Sequence, residues 1–219
     1  MSAPARLAVL ASGRGSNLQA ITAAIAAGQL DAQVVAVLSD KPDAPALLHV
    51  AAEQRWARSP KDFVDRAAFD AALGDALAGF APDWVVCAGY MRILGADFVA
   101  RFNGRLVNIH PSLLPLYKGL HTHARALEAG DAEHGASVHF VVPELDAGTV
   151  LAQARVPVQT GDTAETLAQR VLAVEHPLLI ASLALLVSGR VTEQAGQLQL
   201  DGHPLFSPLR LDCAGQLNR

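Results

Sequence analysis

The sequence predicts an α/β fold: an open, mostly parallel sheet with helices on both faces. Three observations predict it. Leu7–Ala11, Val34–Leu38 and Trp84–Ala88 are continuous apolar runs, the form a strand takes when both its faces are covered. Segments with apolar residues at helical spacing alternate with those runs. Polar, glycine-rich or proline-framed loops follow the runs, at the carboxyl ends where open α/β sheets bind ligands. With 219 residues, 51% of them apolar and only 17% charged, the chain can bury one large core, and no linker divides it. A net charge of -4 argues against a nucleic-acid or basic membrane-surface protein. No apolar run reaches the roughly 18 residues of a membrane span, and Met1 to Arg6 holds no apolar signal segment. Two cysteines, Cys87 and Cys213, make no disulfide framework, which fits a reduced cytoplasm.

Taken in order, Leu7–Ala11 is the first strand, and Ser12-Gly13-Arg14-Gly15-Ser16-Asn17 follows at once. Ser16 is placed to cap a helix, with Gln19 at capping-box spacing and Gly28 to end it. A glycine-rich turn that feeds a helix N-terminus is an anion site. Leu18 stands where a dinucleotide fingerprint needs its third glycine, and no Gly-Lys-Ser/Thr follows, so a phosphate monoester fits better. After the second strand a helix is expected over about 45–54, then a brief strand near Trp56. Ser59-Pro60 is expected to open the next helix, carrying Phe63, Arg66, Phe69, Leu73 and Leu77. Arg66 reads there as a solvated charge. The fourth strand runs into Gly89-Tyr90-Met91-Arg92-Ile93-Leu94, an apolar loop suited to covering a flat ring system.

The fifth strand, Leu106–His110, carries Asn108 and His110 on one face and ends in a loop framed by Pro111 and Pro115. An imidazole exchanges protons near neutral pH, and an amide donates to an oxyanion without changing charge. The pair suits acyl-type transfer; two polar groups merely satisfied at a strand end is the plainer alternative. His121, His123, His110, His139 and Asp146 offer metal-ligand types, but their spacing is not diagnostic and no metal is assigned. A short helix over 124–129, a strand of alternating character over 137–142, a turn with Glu144 and Asp146, and a strand over 150–158 complete this half. A carboxylate facing His110 would favour its imidazolium form. Asp162 and Glu165 then frame a long helix over about 164–187, with a kink expected at His176-Pro177. The tail reads as a hairpin turning at Asp201-Gly202.

The glycine turn extended through Ala20, the 89–94 loop, the run Asn108-Ile109-His110-Pro111-Ser112-Leu113-Leu114-Pro115 and Leu145-Asp146-Ala147-Gly148 occur in that order. Together they resemble the folate-dependent formyltransferases, and within them the phosphoribosylglycinamide formyltransferases of purine synthesis. The likeness runs from about Leu7 to Arg190. It implies a formyltransferase fold: a mixed sheet with a Rossmann-like half over 1–105, a catalytic and folate-binding half over 106–190, and a tail over 191–219. By position, Gly15, Ser16 and Asn17 would hold the ribonucleotide, chiefly its phosphate, with Glu175 beside it. Arg66 and the loop Met91, Arg92, Ile93 and Leu94, with Asn108, would hold the co-substrate 10-formyltetrahydrofolate. Asn108, His110 and Asp146 match the catalytic trio. Arg14 stands where relatives often carry Asn.

The implied reaction is direct attack of a primary amine on the formyl carbon, through a tetrahedral intermediate and without a metal. The implied molecule is a cytoplasmic monomer or weak homodimer that meets only small molecules. Rivals share the trio. A formyltetrahydrofolate deformylase carries an extra amino-terminal domain, whereas this chain begins at its first strand. A methionyl-tRNA formyltransferase carries a carboxyl-terminal RNA-binding domain, and little chain follows residue 190 here. A silent folate- or phosphate-binding module would have no need of all three catalytic residues.

Overall fold

A computed structural model describes residues 3–194 and 196–219; Met1 and Ser2, part of the 1–6 stretch read above as holding no apolar signal segment, and Ala195 lie outside them. The chain forms two compact units, Met1–Asn108 and Ile109–Arg219.

The first unit is a run of βα units. Its strands are β1 (Ala5–Leu10), β2 (Ala32–Ser39), β3 (Arg55–Ala57), β4 (Trp84–Cys87) and the start of β5 (Leu106–His110). They lie in the order β5-β4-β1-β2-β3, all parallel. Leu7 to Ala11 are fully buried, as expected of a central strand covered on both faces. Helix α1 (Ser16–Ala26) does not use Ser16 as its cap: Gly15, in the left-handed conformation, takes that place with no side-chain bond. Its other end closes as expected at Gly28. The Gly28 N–H donates to the Ile25 carbonyl and the Gln29 N–H to the Ala24 carbonyl, the paired bonds of a Schellman motif.

Two helical expectations fail here. Over 45–54 there is no α-helix but two 3-10 turns, Pro45–His49 and Ala52–Gln54, parted by extended Val50 and Ala51. The Arg55 guanidinium takes the Val50 carbonyl, at 2.9 Å from Nε, and so removes an acceptor the helix needed. Ser59 starts only the turn Pro60–Asp62. Helix α2 (Arg66–Phe80) begins later, where Asp65 Oδ1 accepts the Ala68 N–H at 2.8 Å and outcompetes the upstream signal. Helix α3 (Ala96–Arg101), six residues long, has no counterpart in the sequence reading.

In the second unit, α4 (Thr122–Ala129) precedes β6 (Glu133–Phe140) and β7 (Val150–Pro157), which pair antiparallel. Next come α5 (Ala164–Val187), β8 (Val191–Gln194), β9 (Gln197–Leu200), β10 (His203–Leu205), β11 (Leu209–Leu211) and β12 (Leu217–Asn218). β11 lies parallel to β7 and antiparallel to β12, so this sheet is mixed. The expected tail hairpin is β9–β10, with β8 beside it in an antiparallel meander. The alternation read over 137–142 is not one of exposure: every residue from His134 to Phe140 is buried. Helix α5 has the expected bounds, but its capping box joins Thr163 and Thr166. Asp162 instead pairs with Arg170 at 2.6 Å, which holds its carboxyl well below the usual carboxylate range. The helix runs unbroken through Pro177. It is long and apolar enough to cross a membrane, with a mean hydropathy of 1.8. Its buried face, Leu167, Val171, Leu178, Leu179, Leu183 and Leu186, packs on β6 and β7.

Candidate active site

The first unit carries a backbone-built site. Past β1 the chain turns through residues 12–15, and Gly15 sits at φ 80°. A Cβ there would lie 2.9 Å from the Ala46 Cβ and 3.0 Å from its Cα, so conformation and space both demand glycine. The ladder of α1 starts with the Gln19 N–H donating to the Gly15 carbonyl at 2.9 Å. No side chain caps this end, and no acidic residue lies in its first turn. An uncapped helix start with its dipole is suited to an anion such as phosphate. Ser16 and Asn17 form its first turn, and Arg14 is exposed next to it. The His49 Nε2 lies 3.1 Å from the Arg14 carbonyl and steadies the turn from outside.

The loop after β4 is fastened at two points. The Met91 N–H donates to Ser12 Oγ at 2.9 Å, and the Gly95 N–H donates to Asp70 Oδ2 at 2.8 Å. Between them Met91 and Ile93 are 62% and 52% exposed, while Leu94 and Tyr90 are buried. The loop thus presents two large apolar side chains on a pinned backbone, a face suited to a flat ring. The Arg92 guanidinium lies over the Phe69 ring, 5.4 Å from its centroid. Arg66 is not simply solvated: its Nε lies 3.5 Å from Asp70 Oδ2, and about half its side chain remains exposed. Burial pushes the Tyr90 hydroxyl far up, aided by the Asp40 carboxylate nearby. Asn108 is half-buried on β5, in register with Cys87 of β4.

The second unit carries a site built from side chains. His110 ends β5 and is 6% exposed. Its Nε2 lies 3.0 Å from the Tyr117 carbonyl and its Nδ1 3.4 Å from Asp146 Oδ2. The ring thus meets an oxygen acceptor on each side. Asp146 sits at φ 45° in the turn before Gly148, and its Oδ2 also accepts the Gly119 N–H at 2.8 Å. Gly148 is required because a Cβ there would meet the Phe140 carbonyl. Asp146 Oδ1 lies 3.7 Å from Nε2 of His139, which is 1% exposed. Burial pulls that ring below the usual imidazole range, while the Phe140 carbonyl and Asp146 pull the other way.

The proline-framed loop is held from β6 and β7. Ser137 Oγ donates to the Ser112 carbonyl at 2.7 Å and accepts the Leu114 N–H at 3.1 Å. Gln153 Nε2 donates to the Leu114 carbonyl at 2.9 Å, and the Leu114–Pro115 peptide is cis. Behind it, buried His134 places Nε2 3.2 Å from His123 Nδ1. Burial, with His123 beside it, pulls His134 down to about 4. His121 stands apart, exposed at the start of α4. Among the described residues, no group of three or more His, Cys, Asp or Glu side chains is arranged to hold a metal ion. Glu175 is buried within α5.

Of the residues singled out in the sequence, the structure brings His110 and Asp146 together and sets Gly15, Ser16 and Asn17 at one helix start. It tethers Arg66 through Asp70 to the end of the 89–95 loop. Sequence reasoning missed Asp40, Asp70 and the Tyr117 carbonyl, it placed Ser12 in the glycine-rich turn without its ties to Asp40 and Met91, and it read His139 as a structural or polar-face residue without placing it beside Asp146. The ties of Ser12, Asp40 and Asp70 join residues 25 to 79 positions apart, and the Tyr117 contact to His110 is made by a backbone carbonyl that no side-chain motif flags.

Residues 5–183 match the family model described as formyl transferase. The chain is 45% identical over 201 residues to the phosphoribosylglycinamide formyltransferase of Escherichia coli K12, covering 91% of this chain and 95% of that protein. It superposes on the phosphoribosylglycinamide formyltransferase of Coxiella burnetii with a TM-score of 0.86, at 43% identity over 92% of this chain and 96% of the other. A formyltetrahydrofolate deformylase from Pseudomonas syringae is more distant, 26% identical with a TM-score of 0.79. There the match covers 90% of this chain but 66% of the deformylase.

Proposed function

The chain belongs to the formyl transferase family, and from that premise we propose that it moves the formyl group of 10-formyltetrahydrofolate to the primary amine of 5'-phosphoribosylglycinamide in purine biosynthesis. The observation that carries the reading is the buried His110–Asp146 pair at the carboxyl end of β5, in a chain 45% identical to an enzyme named for this transfer. The substrate amine attacks the formyl carbon, and the carbonyl oxygen becomes an oxyanion. Asn108 and the His110 imidazolium donate to it. The Nε2 proton now given to the Tyr117 carbonyl is the one exchanged for the oxyanion, so residues 117–119 yield when substrate arrives. Asp146, 3.4 Å from Nδ1, holds the ring in place. The intermediate collapses as the formyl carbon–nitrogen bond of the folate breaks and the proton lost by the attacking nitrogen reaches the leaving one.

Binding follows the two sites of the first unit, with Glu175 added by the family resemblance. The uncapped start of α1, with Gly15, Ser16 and Asn17, takes the phosphate, and Glu175 stands by the ribonucleotide. The Met91, Arg92, Ile93 and Leu94 loop, with Asn108, takes the pterin, and Arg66 takes the acidic tail. The reaction needs no metal and no protein nucleophile. The family match spans residues of both units, in keeping with one catalytic domain. We take the enzyme to be cytoplasmic, in keeping with Cys87 and Cys213 both outside any disulfide, and to work as a monomer or weak homodimer.

Mixing the purified protein with 10-formyltetrahydrofolate, with and without the ribonucleotide, tests this. Loss of formyl only when the acceptor is present is the expected outcome. Acceptor-independent loss would make the chain a hydrolase, and binding without loss would make it a sensor.

A further inference from the structure

Ser12 belongs by sequence to the glycine-rich turn, but its hydroxyl bonds elsewhere. Its Oγ donates to Asp40 Oδ1 at 2.5 Å and accepts the Met91 N–H at 2.9 Å, while its own N–H donates to the Gly89 carbonyl at 3.0 Å. Ser12 is 3% exposed and Asp40 8%. These residues follow three neighbouring strands: Ser12 after β1, Asp40 after β2, and Gly89 to Met91 after β4, with β1 in the middle. A serine hydroxyl has one proton to give. The carboxylate takes it in a charge-assisted bond, the stronger kind, and this leaves the oxygen lone pairs to face Met91. Asp40 therefore sets the direction of the hydroxyl, and the hydroxyl sets the height of the Met91 amide. The turn itself has a separate tie, the Ala46 N–H donating to the Gly13 carbonyl at 3.1 Å.

We infer that Ser12, oriented by Asp40, is a positioning residue for the formyl donor rather than for the ribonucleotide whose turn it opens. The inference rests on the reading of the 91–94 loop as the donor site. Met91 and Ile93 are exposed on this loop, and a flat ring laid on them meets a surface only as well defined as the backbone beneath. Ser12 fixes that backbone at Met91, as Asp70 does at Gly95.

Two Michaelis constants and one amide test it. Ser12→Ala removes both hydroxyl bonds, and the Michaelis constant for 10-formyltetrahydrofolate should rise about tenfold, the usual scale of such a loss. The constant for the ribonucleotide should stay within about twofold, because an amide held equally in ground and transition states contributes uniform binding to one substrate only. Hydrogen exchange at the Met91 amide should quicken about tenfold or more without ligand. Asp40→Asn, which keeps the shape and an acceptor oxygen, should move the same readouts by less, and it carries the test should Ser12→Ala not fold. Equal rises in both constants, a rise confined to the ribonucleotide, or an unchanged donor constant would each overturn the inference, as would unchanged exchange at Met91. A parent protein that transfers no formyl overturns the proposed function instead. A parent that does, beside a variant with an unmoved donor constant, overturns this inference alone.

Discussion

The turn over 12–17 and the turn over 143–148 are both short connections after buried strands, yet they are built from different material. The first offers backbone: Gly15 in the left-handed region, a helix start with no side-chain cap, and an exposed Arg14. The second offers side chains: Asp146 between His110 and His139, with buried His134 in the same unit. A backbone site is set by local conformation and tolerates most changes of side chain. A side-chain site depends on residues distant in sequence, and it brings titratable groups into a buried place. The two should therefore fail in different ways.

The sharpest contrast comes from the side-chain site. His110→Ala removes the proposed oxyanion donor, and a loss of about 3–4 kcal/mol, roughly a hundred- to a thousandfold in turnover, is expected. Asp146→Asn, which keeps the shape and removes the charge, should cost at least tenfold. The double variant should cost far less than the product of the two, because groups that act as a unit are not additive. Turnover of all three variants at saturating substrates decides it. Multiplicative losses would mean that the 3.4 Å contact plays no part in the reaction.

Gly15→Ala is the corresponding break in the backbone site. The left-handed conformation costs a non-glycine residue about 1–2 kcal/mol, and the added Cβ would press on Ala46 at 2.9 Å. Urea unfolding should show a loss of about 2 kcal/mol, with a raised Michaelis constant for the ribonucleotide. A variant as stable as the parent would mean that the turn adapts and is not the rigid frame described.

Much of this contrast was legible in the sequence, and the reason is physical. The parallel strands, the glycine turn and the Asn-x-His strand end are local patterns, each a few residues long, and they stand where the periodicity put them. Helix starts were read less well. At Ser16, Ser59 and Asp162 an oxygen-bearing side chain stood at capping distance, but Gly15, Asp65 and Thr163 hold the caps. Several competent caps within a few residues compete, and only the packed structure selects among them. The ties of Ser12 to Asp40 and Met91, and of Asp70 to Gly95, span 28, 79 and 25 positions. No local pattern encodes a partner at that distance.

A further difference lies in acid response. Burial and His123 hold His134 at about 4 in the folded protein, against 6.5 for the free side chain. Between those values the unfolded chain binds a proton that the folded chain does not. Stability therefore rises with pH through the window and is lost as pH falls from about 6.5 toward 4, by as much as ~1.4 kcal/mol per pH unit from this residue. His123 and His139 are pulled in the same direction by burial. His134→Gln should flatten the fall in melting temperature between pH 7 and 5. Parallel profiles for parent and variant would mean that the folded protein protonates His134 without cost.

The smallest effect is expected at Arg14, and it probes how far the anion site relies on backbone alone. The residue is exposed next to Gly15, and its carbonyl is engaged by His49, so the backbone of the turn does not depend on the guanidinium. A solvated cation near a doubly charged phosphate adds attraction that salt screens over roughly 8–10 Å. Such a contribution persists from ground state to transition state, so it should appear in the Michaelis constant and not in turnover. Arg14→Asn should raise the constant for the ribonucleotide about two- to fivefold at low ionic strength, with turnover within about 1.5-fold of the parent. The gap should close by roughly 0.3 M salt, where the Debye length has shortened to about 5–6 Å. A loss of tenfold or more that survives salt would place the guanidinium in direct contact with the phosphate, and the first site would then be built from a side chain as well as from backbone. An unchanged constant at low salt would leave the start of α1 as the whole of the phosphate site.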